Sequence, residues 1–220
     1  MSEAILVILV LFTMIMTICL YKMFNKRGLY FSLVLINLIT FVLSFKISYI
    51  LKMNINTGII PFTGMLTIIN LFIIKYGTSE NKNLLTITLY SNIIFALILG
   101  VMNYFIPAVT ETISINMEET FKYNYKIIII YPFIITLTEY LSIKLFNLVN
   151  KIQSNIIINS ILTYAIIGII FPIIMYLLTY INILDIKYSL FLGISTYILG
   201  LILTIFNSIS LSIINKKKVI

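Results

Sequence analysis

The sequence predicts an all-α fold, a polytopic transmembrane helical bundle of about seven helices, with six core helices plus an N-terminal helix. Of its 220 residues, 61% are hydrophobic and 10% are charged, and the mean hydropathy is +1.12. A soluble domain carries about 25% charged residues. Apolar runs of about 20 residues also recur along the chain, the length that spans a bilayer. Lipid is therefore the expected solvent, and residues 1–220 are predicted to form one transporter-like domain.

Seven apolar runs are bounded by basic residues, prolines or polar turns. The first starts Met-Ser-Glu and continues into lysine, so it is predicted to be a retained helix and not a cleaved signal peptide. A short segment to Asn54 separates the second run from the third, and Pro172 predicts a kink in the sixth. A polar loop at 107–126 either covers the mouth of a cavity or only connects two helices. The runs are 4–20, 29–45, 58–74, 84–106, 127–148, 155–181 and 188–214.

The basic residues predict an orientation in the cell membrane. With the N-terminus outside and the C-terminus cytoplasmic, ten of the fifteen basic residues lie at cytosolic ends, as the positive-inside rule requires. The formal charge of +8 is then a signal of topology, and no nucleic-acid partner is expected because no continuous basic face is present. The ten residues are Lys22, Lys26, Arg27, Lys75, Lys82, Lys144, Lys151, Lys216, Lys217 and Lys218.

Composition also bounds the chemistry. The chain has no histidine and a single cysteine, Cys19, so the usual ligand sets for zinc, haem and iron–sulfur clusters are missing, and no cofactor or metal is expected. The spans supply neither paired aspartates nor a nucleophile with a base, which argues against an enzyme. Because no GxxxxGK[ST] loop is present, the chain is not expected to hydrolyse ATP itself.

Polar residues recur at helical spacing within the spans. Thr63, Thr67 and Asn70 lie at i, i+4 and i+7, which places them on one stripe that should face protein or a cavity. Such rows serve either as helix–helix contacts or as the lining of a cavity, and three of them together favour a shared polar interior. The other two rows are Asn155, Asn159 and Thr163, and Thr196, Gly200, Thr204 and Asn207.

Glu139 is the only acidic residue deep in any span. A carboxyl group at that depth costs about 2.5–3.5 kcal/mol on insertion scales, so it is either functional or a protonated group bonded to a neighbouring helix. Lys144 is expected to extend its amine to the interface. Lys46 closes the second span and either does the same or faces a solute, whereas Tyr164 offers a ring on which a flat base could stack.

Several segments resemble the queuosine precursor transporters, small bacterial membrane proteins of the vitamin-uptake-transporter type. The resemblance rests on YKMFNKRGLY at 21–30, then Lys46, Gly58 and the Lys-Tyr-Gly at 75–77, and further on Asn92, the Phe-Ile-Pro at 105–107, Phe146 and Phe171. It implies import of queuine or pre-queuosine, 7-deazaguanine bases that are later inserted into transfer RNA.

The chain departs from that family at most of its intramembrane charges. Asn70 and Ile74 stand where the family has an Asp and a Glu. An Asn can still accept from the N–H groups of a deazaguanine, but without the charge assistance that a carboxylate provides. The other substituted positions are Thr138, Glu139, Ser142, Asn155, Asn159, Tyr164, Ile167, Gly200 and Asn207.

Two functions are compatible with this sequence. The first is a transporter for a small, flat, polar solute such as a deazaguanine. It would be driven by a gradient, with Glu139 as a candidate proton carrier, or by a separate ATP-driven module for which the chain is the solute-binding subunit. The second is a degenerate, non-transporting membrane protein of the same fold. The candidate solute-binding residues are Lys46, Thr67, Asn70, Glu139, Ser142, Asn159, Tyr164 and Asn207.

Overall fold

The structure is a computed structural model that describes residues 2–102, 112–152, 155–180 and 185–216. The predicted all-α helical bundle is confirmed, and within these residues six helices are long and apolar enough to span a membrane. A two-stranded hairpin, β1 (Ile47–Ile50) and β2 (Met53–Asn56), was not predicted. The helices are α1 (Ser2–Leu43), α2 (Ile59–Tyr76), α3 (Asn81–Met102), α4 (Thr112–Ile152), α5 (Ile156–Ile167), α6 (Met175–Tyr180) and α7 (Ile186–Lys216).

Helix α1 is broken at Asn25, where φ is 51° and ψ is −125°. Before this turn, Thr13 packs against Gly64 of α2. Just after it, the Lys26 amine lies 5.7 Å from the centroid of the Tyr76 ring. The first arm of α1 therefore runs parallel to α2.

The second arm of α1 runs the opposite way. The rings of Tyr30 and Phe72 lie 4.7 Å apart, and further along Ser44 lies against Gly58 at the start of α2. The two arms are thus antiparallel, and they correspond to the first two predicted spans. When the two arms of α1 are counted separately and α5 and α6 are counted as one interrupted span, the described chain has the seven segments that the sequence predicts.

The turn at Asn25 depends on two residue types. Asn tolerates a positive φ better than most residues, because its short polar side chain bonds locally. Gly28 lies so close to the first arm that a Cβ placed on it would be 1.9 Å from the Leu20 carbonyl oxygen. Any larger residue at position 28 would push the arms apart.

Helix α2 is the centre of the bundle. Every residue from Ile59 to Ile73 is buried, and 83% of its span is inside the protein against 22% for the span of α3. It packs against α1, α4 and α7. The polar stripe predicted on this helix therefore does face protein, but so do the other sides of the helix.

The β1–β2 hairpin occupies the segment between the second and third spans. Leu51 and Lys52 both have positive φ, the combination typical of a two-residue type I′ turn. The Asn56 N–H donates to Thr196 Oγ1 at 3.1 Å. Since Thr196 lies about 15 Å along α7 from its first residue at 1.5 Å per residue, α2 begins well inside the bundle.

The predicted sixth span is interrupted where the sequence predicts a kink. Helix α5 ends at Ile167, and a π-helical segment, Ile170–Ile174, contains Pro172 before α6 begins. Proline removes one backbone donor, and such π segments are a common way of accommodating the loss. The predicted loop at 107–126 is a different case. Helix α4 already begins at Thr112, so the prediction of a loop is wrong for residues 112–126.

One end of the bundle collects many of the basic residues. Gly200 lies beside Ile59 and Asn207 bonds to Thr63, so α7 runs parallel to α2 and to the first arm of α1. The Lys26 amine lies beside Tyr76 and Glu80, and the α4–α5 junction, where Asn159 bonds to Asn150, lies next to the Ser160 that bonds to Asn70. The turn of α1, the α2–α3 junction and the end of α4 therefore share one end, where six of the predicted basic residues lie (Lys22, Lys26, Arg27, Lys75, Lys82 and Lys151). Which side of the membrane this end faces stays a prediction. Residues 103–111 and 217–220, and the side chains of Glu118 and Glu119, lie outside the described part.

Candidate functional site

Two groups of buried polar side chains lie inside the bundle. The first, called the α2–α5–α7 group, joins the central helix to two helices that are distant in sequence. The second, called the Glu139 group, joins the second arm of α1 to α3 and α4. The α2–α5–α7 group consists of Thr63, Thr67, Asn70, Ser160, Tyr164 and Asn207, and the Glu139 group of Asn37, Thr88, Asn92, Tyr131 and Glu139.

Side-chain hydrogen bonds in the α2–α5–α7 group link α2 to α5 and, separately, α2 to α7. Asn70 Nδ2 donates to Ser160 Oγ at 3.1 Å, and Asn207 Nδ2 donates to Thr63 Oγ1 at 2.8 Å. The Thr67 hydroxyl donates to the Thr63 carbonyl one turn earlier, at 2.9 Å. Asn70 Oδ1 is buried and accepts no hydrogen bond from any described residue. Because buried polar atoms are nearly always paired, this oxygen is a candidate acceptor for a ligand.

Tyr164 gives the same group an aromatic surface. Its ring stacks on Tyr197 with centroids 6.0 Å apart and planes 9° apart, and it meets Phe62 edge to face. Its buried hydroxyl makes no hydrogen bond to the described part of the chain. A Cβ on Gly200 would lie 1.7 Å from that hydroxyl, so Gly200 makes room for the tyrosine.

The Glu139 group is also completely buried. Thr88 Oγ1 lies 2.5 Å from Glu139 Oε2. Asn37 Nδ2 donates to Asn92 Oδ1 at 2.9 Å, and the Tyr131 hydroxyl donates to the Asn37 carbonyl at 3.2 Å. Within the described residues, Glu139 Oε1 and Asn92 Nδ2 have no hydrogen-bond partner.

The structure brings together only some of the predicted solute-binding residues. Thr67, Asn70, Tyr164 and Asn207 belong to one group. Glu139 instead contacts α3, the predicted fourth span, which the sequence did not assign to the site.

The remaining predicted residues lie elsewhere. Ser142 is buried on α4, and its hydroxyl has no partner among described residues. Asn159 Nδ2 donates to Asn150 Oδ1 at 3.0 Å, close to the α4–α5 junction. The Lys46 side chain is exposed beside the hairpin and belongs to neither group.

Asn155 and Lys144, two other polar residues considered in the sequence analysis, have contacts that are explained by the local structure. Asn155 caps α5 by accepting from the N–H groups of Ile157 and Ile158, so it does not continue the polar row of Asn159 and Thr163. The Lys144 side chain is exposed, with its amine 4.4 Å from the centroid of the Tyr140 ring, as expected for a lysine that extends outwards.

Sequence reasoning missed most of the Glu139 group. Asn37 was not singled out, and Asn92 was noted only as part of the family resemblance. A signal was present, because Thr88 and Asn92 have the same i, i+4 spacing that marked the stripe on α2. Ser160 was missed because it falls between two members of a predicted row.

These features define a multi-pass helical membrane protein with a polar interior. No protein-family model matches the chain, and neither a curated protein nor a solved structure matches it. The arrangement of the buried polar atoms is therefore the basis for an inference about function.

Proposed function

We propose that the chain is a membrane transporter that imports a small, flat, polar solute, most specifically queuine, the pre-queuosine base or a related nucleobase or vitamin-like compound. The observation that carries the proposal is the α2–α5–α7 group. There the buried amide oxygen of Asn70 and the buried hydroxyl of Tyr164 both lack a partner among described residues, and the Tyr164 ring stacks on Tyr197.

The chemistry of a deazaguanine suits these atoms. The base is planar, so it can stack on an aromatic ring, an interaction worth about 1–3 kcal/mol per base in nucleic-acid complexes. Its N–H groups can donate to a buried amide oxygen such as Asn70 Oδ1, and its carbonyl can accept from a buried hydroxyl such as that of Tyr164. The resemblance at 21–30 and 75–77 supports the same solute class from an independent part of the chain.

The fold provides a way to expose such a site alternately to each side. Helix α2 begins inside the bundle behind the hairpin, and the α5–α6 span is interrupted at Pro172. Broken helices near the midplane are a recurrent feature of transporters, where they form solute sites. The energy would come from an ion gradient or from a separate ATP-driven module that uses this chain as its solute-binding subunit.

The direct test uses a bacterial host that can neither make nor import the deazaguanine base. Expression of this chain should restore queuosine in transfer RNA when the pre-queuosine base or queuine is supplied at low concentration. If the protein is present in the membrane and no queuosine forms, the proposed solute is rejected. That result would favour the alternative, a degenerate relative that does not transport.

A variant then tests the site. Asn70→Leu should abolish uptake, because it removes the unpaired acceptor and the bond to Ser160, whereas Asn83→Leu is the matched change at an exposed position. Both proteins should accumulate normally in the membrane. Full uptake by Asn70→Leu would show that the α2–α5–α7 group does not bind the solute.

A further inference from the structure

The carboxyl group of Glu139 is buried without a compensating charge. Glu139 is 1% exposed, and among the described side chains its contact is with the hydroxyl of Thr88. Lys144, five residues later, is exposed and lies over the Tyr140 ring. An isolated ionised carboxylate is very costly in such a place. The site therefore needs a bound cation, and the simplest cation is a proton.

The bonds of Thr88 indicate where that proton lies. Its hydroxyl is 2.9 Å from the Leu84 carbonyl and 2.5 Å from Glu139 Oε2. A hydroxyl has one proton to donate. If Glu139 were ionised, the Thr88 proton would have to leave the Leu84 carbonyl in order to reach the carboxylate. If Glu139 is protonated, it donates to Thr88 Oγ1 while Thr88 donates to Leu84, and both bonds form together.

We propose that Glu139, Thr88 and Asn92 form a proton-binding site between α3 and α4 that is separate from the solute site and couples a proton gradient to transport. In each cycle one proton would pass from water on one side to Glu139 and then to water on the other side. The coupling half of this proposal rests on the proposed function; the proton-binding half does not.

Asn92 offers a hydrogen-bond donor for the deprotonated state of Glu139. It lies one turn after Thr88 on the same face of α3, and its Nδ2 group has no partner among described residues. After release of the proton, the Thr88 hydroxyl would turn to donate to Oε2, and the Asn92 amide would donate to Oε1. Two donors to a buried carboxylate lower the cost of its charge.

No other described ionisable group competes for this role. Tyr131 lies on the same helix, with its hydroxyl bonded to the Asn37 carbonyl. The neighbouring α5 and α6 carry the buried Tyr164 and Tyr176. Helix α2 has no ionisable residue before Lys75, and the π-helical segment has none. The second arm of α1 starts with Lys26, Arg27 and Tyr30, of which Lys26 and Tyr30 contact Glu80. On α3, Tyr90 is exposed.

The first experiment measures protonation without transport. The purified full-length protein, reconstituted in lipid vesicles at neutral pH, is studied by infrared spectroscopy. The wild type should show the carbonyl stretch of a protonated carboxylic acid, and Glu139→Gln should remove it. Thr88→Val should shift the band to higher frequency, because the acid loses its hydrogen-bond acceptor. Absence of the band from the wild type would overturn the proton-binding site.

Glu80→Gln is the matched control. Glu80 pairs with Lys26 at 2.7 Å at the basic end of the bundle, so it is an ionised carboxylate and contributes no band of a protonated acid. The same substitution there should leave the spectrum of the Glu139 acid unchanged. If Glu80→Gln removed the band, the signal would not belong to Glu139.

The second experiment measures coupling in the same vesicles with the pre-queuosine base as solute. One proton per solute predicts about tenfold more accumulation per unit of inward pH gradient. Glu139→Gln should abolish this dependence and retain exchange of internal for external solute. If uptake by the wild type does not depend on the pH gradient, the proposed coupling is rejected. If no solute is taken up and the acid band is present, the proposed function fails while the proton site stands.

Discussion

The two buried polar groups are built from the same residue types but leave different atoms unpaired. In the α2–α5–α7 group these are the amide oxygen of Asn70 and the hydroxyl of Tyr164, whose ring stacks on Tyr197. In the Glu139 group they are one oxygen of the Glu139 carboxyl, which can change its charge, and the amide nitrogen of Asn92. The first arrangement can exchange bonds with a neutral, flat molecule, and the second suits a proton.

The groups also differ in how the chain assembles them. The bonds between helices in the α2–α5–α7 group join residues 90 and 144 positions apart, whereas those of the Glu139 group join residues 51, 55 and 94 positions apart. The first group therefore depends on the central helix meeting the last part of the chain. This comparison implies that changes in one group should leave the chemistry of the other intact.

The largest effect is expected from Gly200→Val. A Cβ at this position would overlap the Tyr164 hydroxyl, and overpacking costs about 1–3 kcal/mol. Displacing the ring should lower solute affinity at least about tenfold, measured as uptake against solute concentration in vesicles. The infrared band of Glu139 should remain, because the change lies in the other group.

Gly100→Val is the control for this substitution. Gly100 is in α3, and a Cβ there would meet nothing within 4 Å. Uptake should match the wild type. If Gly200→Val lost the Glu139 band together with uptake, the two groups would form one cooperative unit and the comparison would fail.

A smaller effect is expected on the free energy of unfolding, which double-mutant cycles measure. Thr63→Val and Asn207→Leu should each destabilise the protein, and their coupling energy should be about 0.6–1.7 kcal/mol, the range measured for bonds between membrane helices. Asn37→Leu with Asn92→Leu should give a similar value. The measurement is the free energy of unfolding in mixed detergent.

A double-mutant cycle with one substitution in each group tests whether the two groups are independent. Asn70→Leu and Asn92→Leu should be additive within about 0.3–0.5 kcal/mol, as expected for sites without shared partners. A larger coupling energy would mean that the two groups share contacts, and that the division between solute and proton sites is wrong.

The sequence predicts the bundle well because the hydropathy of each span depends on lipid and not on its neighbours. In the part of the chain that the structure describes, six helices are long enough to span a membrane, and the first reverses at Asn25 as two predicted spans require. The hairpin could not be predicted in the same way. Its residues between 47 and 56 alternate weakly, and the bond from the Asn56 N–H to Thr196, 140 positions away, is a contact that the local sequence does not reveal.

The sequence identified several residues of the candidate site, but it did not show which of them lie together. The spacing of Thr63, Thr67 and Asn70 correctly indicates a buried stripe, since a helix fixes which side chains share a face. Spacing says nothing about which other helix that face meets. Glu139 was therefore assigned to the solute site because of its depth, whereas its contact with Thr88 is with α3.

The smallest effect is expected from Lys46→Gln. Lys46 was predicted to bind solute, but its side chain is exposed beside the hairpin. Its hydrogen bonds with Thr57 involve only its backbone carbonyl, which accepts from the Thr57 N–H and hydroxyl. Removal of its charge should change uptake by less than about fivefold, because even exposed charges in ion pairs contribute only about 0–1 kcal/mol. Initial rates of uptake in vesicles would measure the change.

Lys52→Gln is the matched substitution, because Lys52 is exposed in the turn of the same hairpin. Equal, small effects of the two changes would place both lysines among the charges that only position the hairpin at the membrane surface. A loss of uptake confined to Lys46→Gln would instead mean that the solute meets Lys46 on its way to the α2–α5–α7 group. The hairpin would then be part of the entry path, and solute recognition would begin outside the two buried groups.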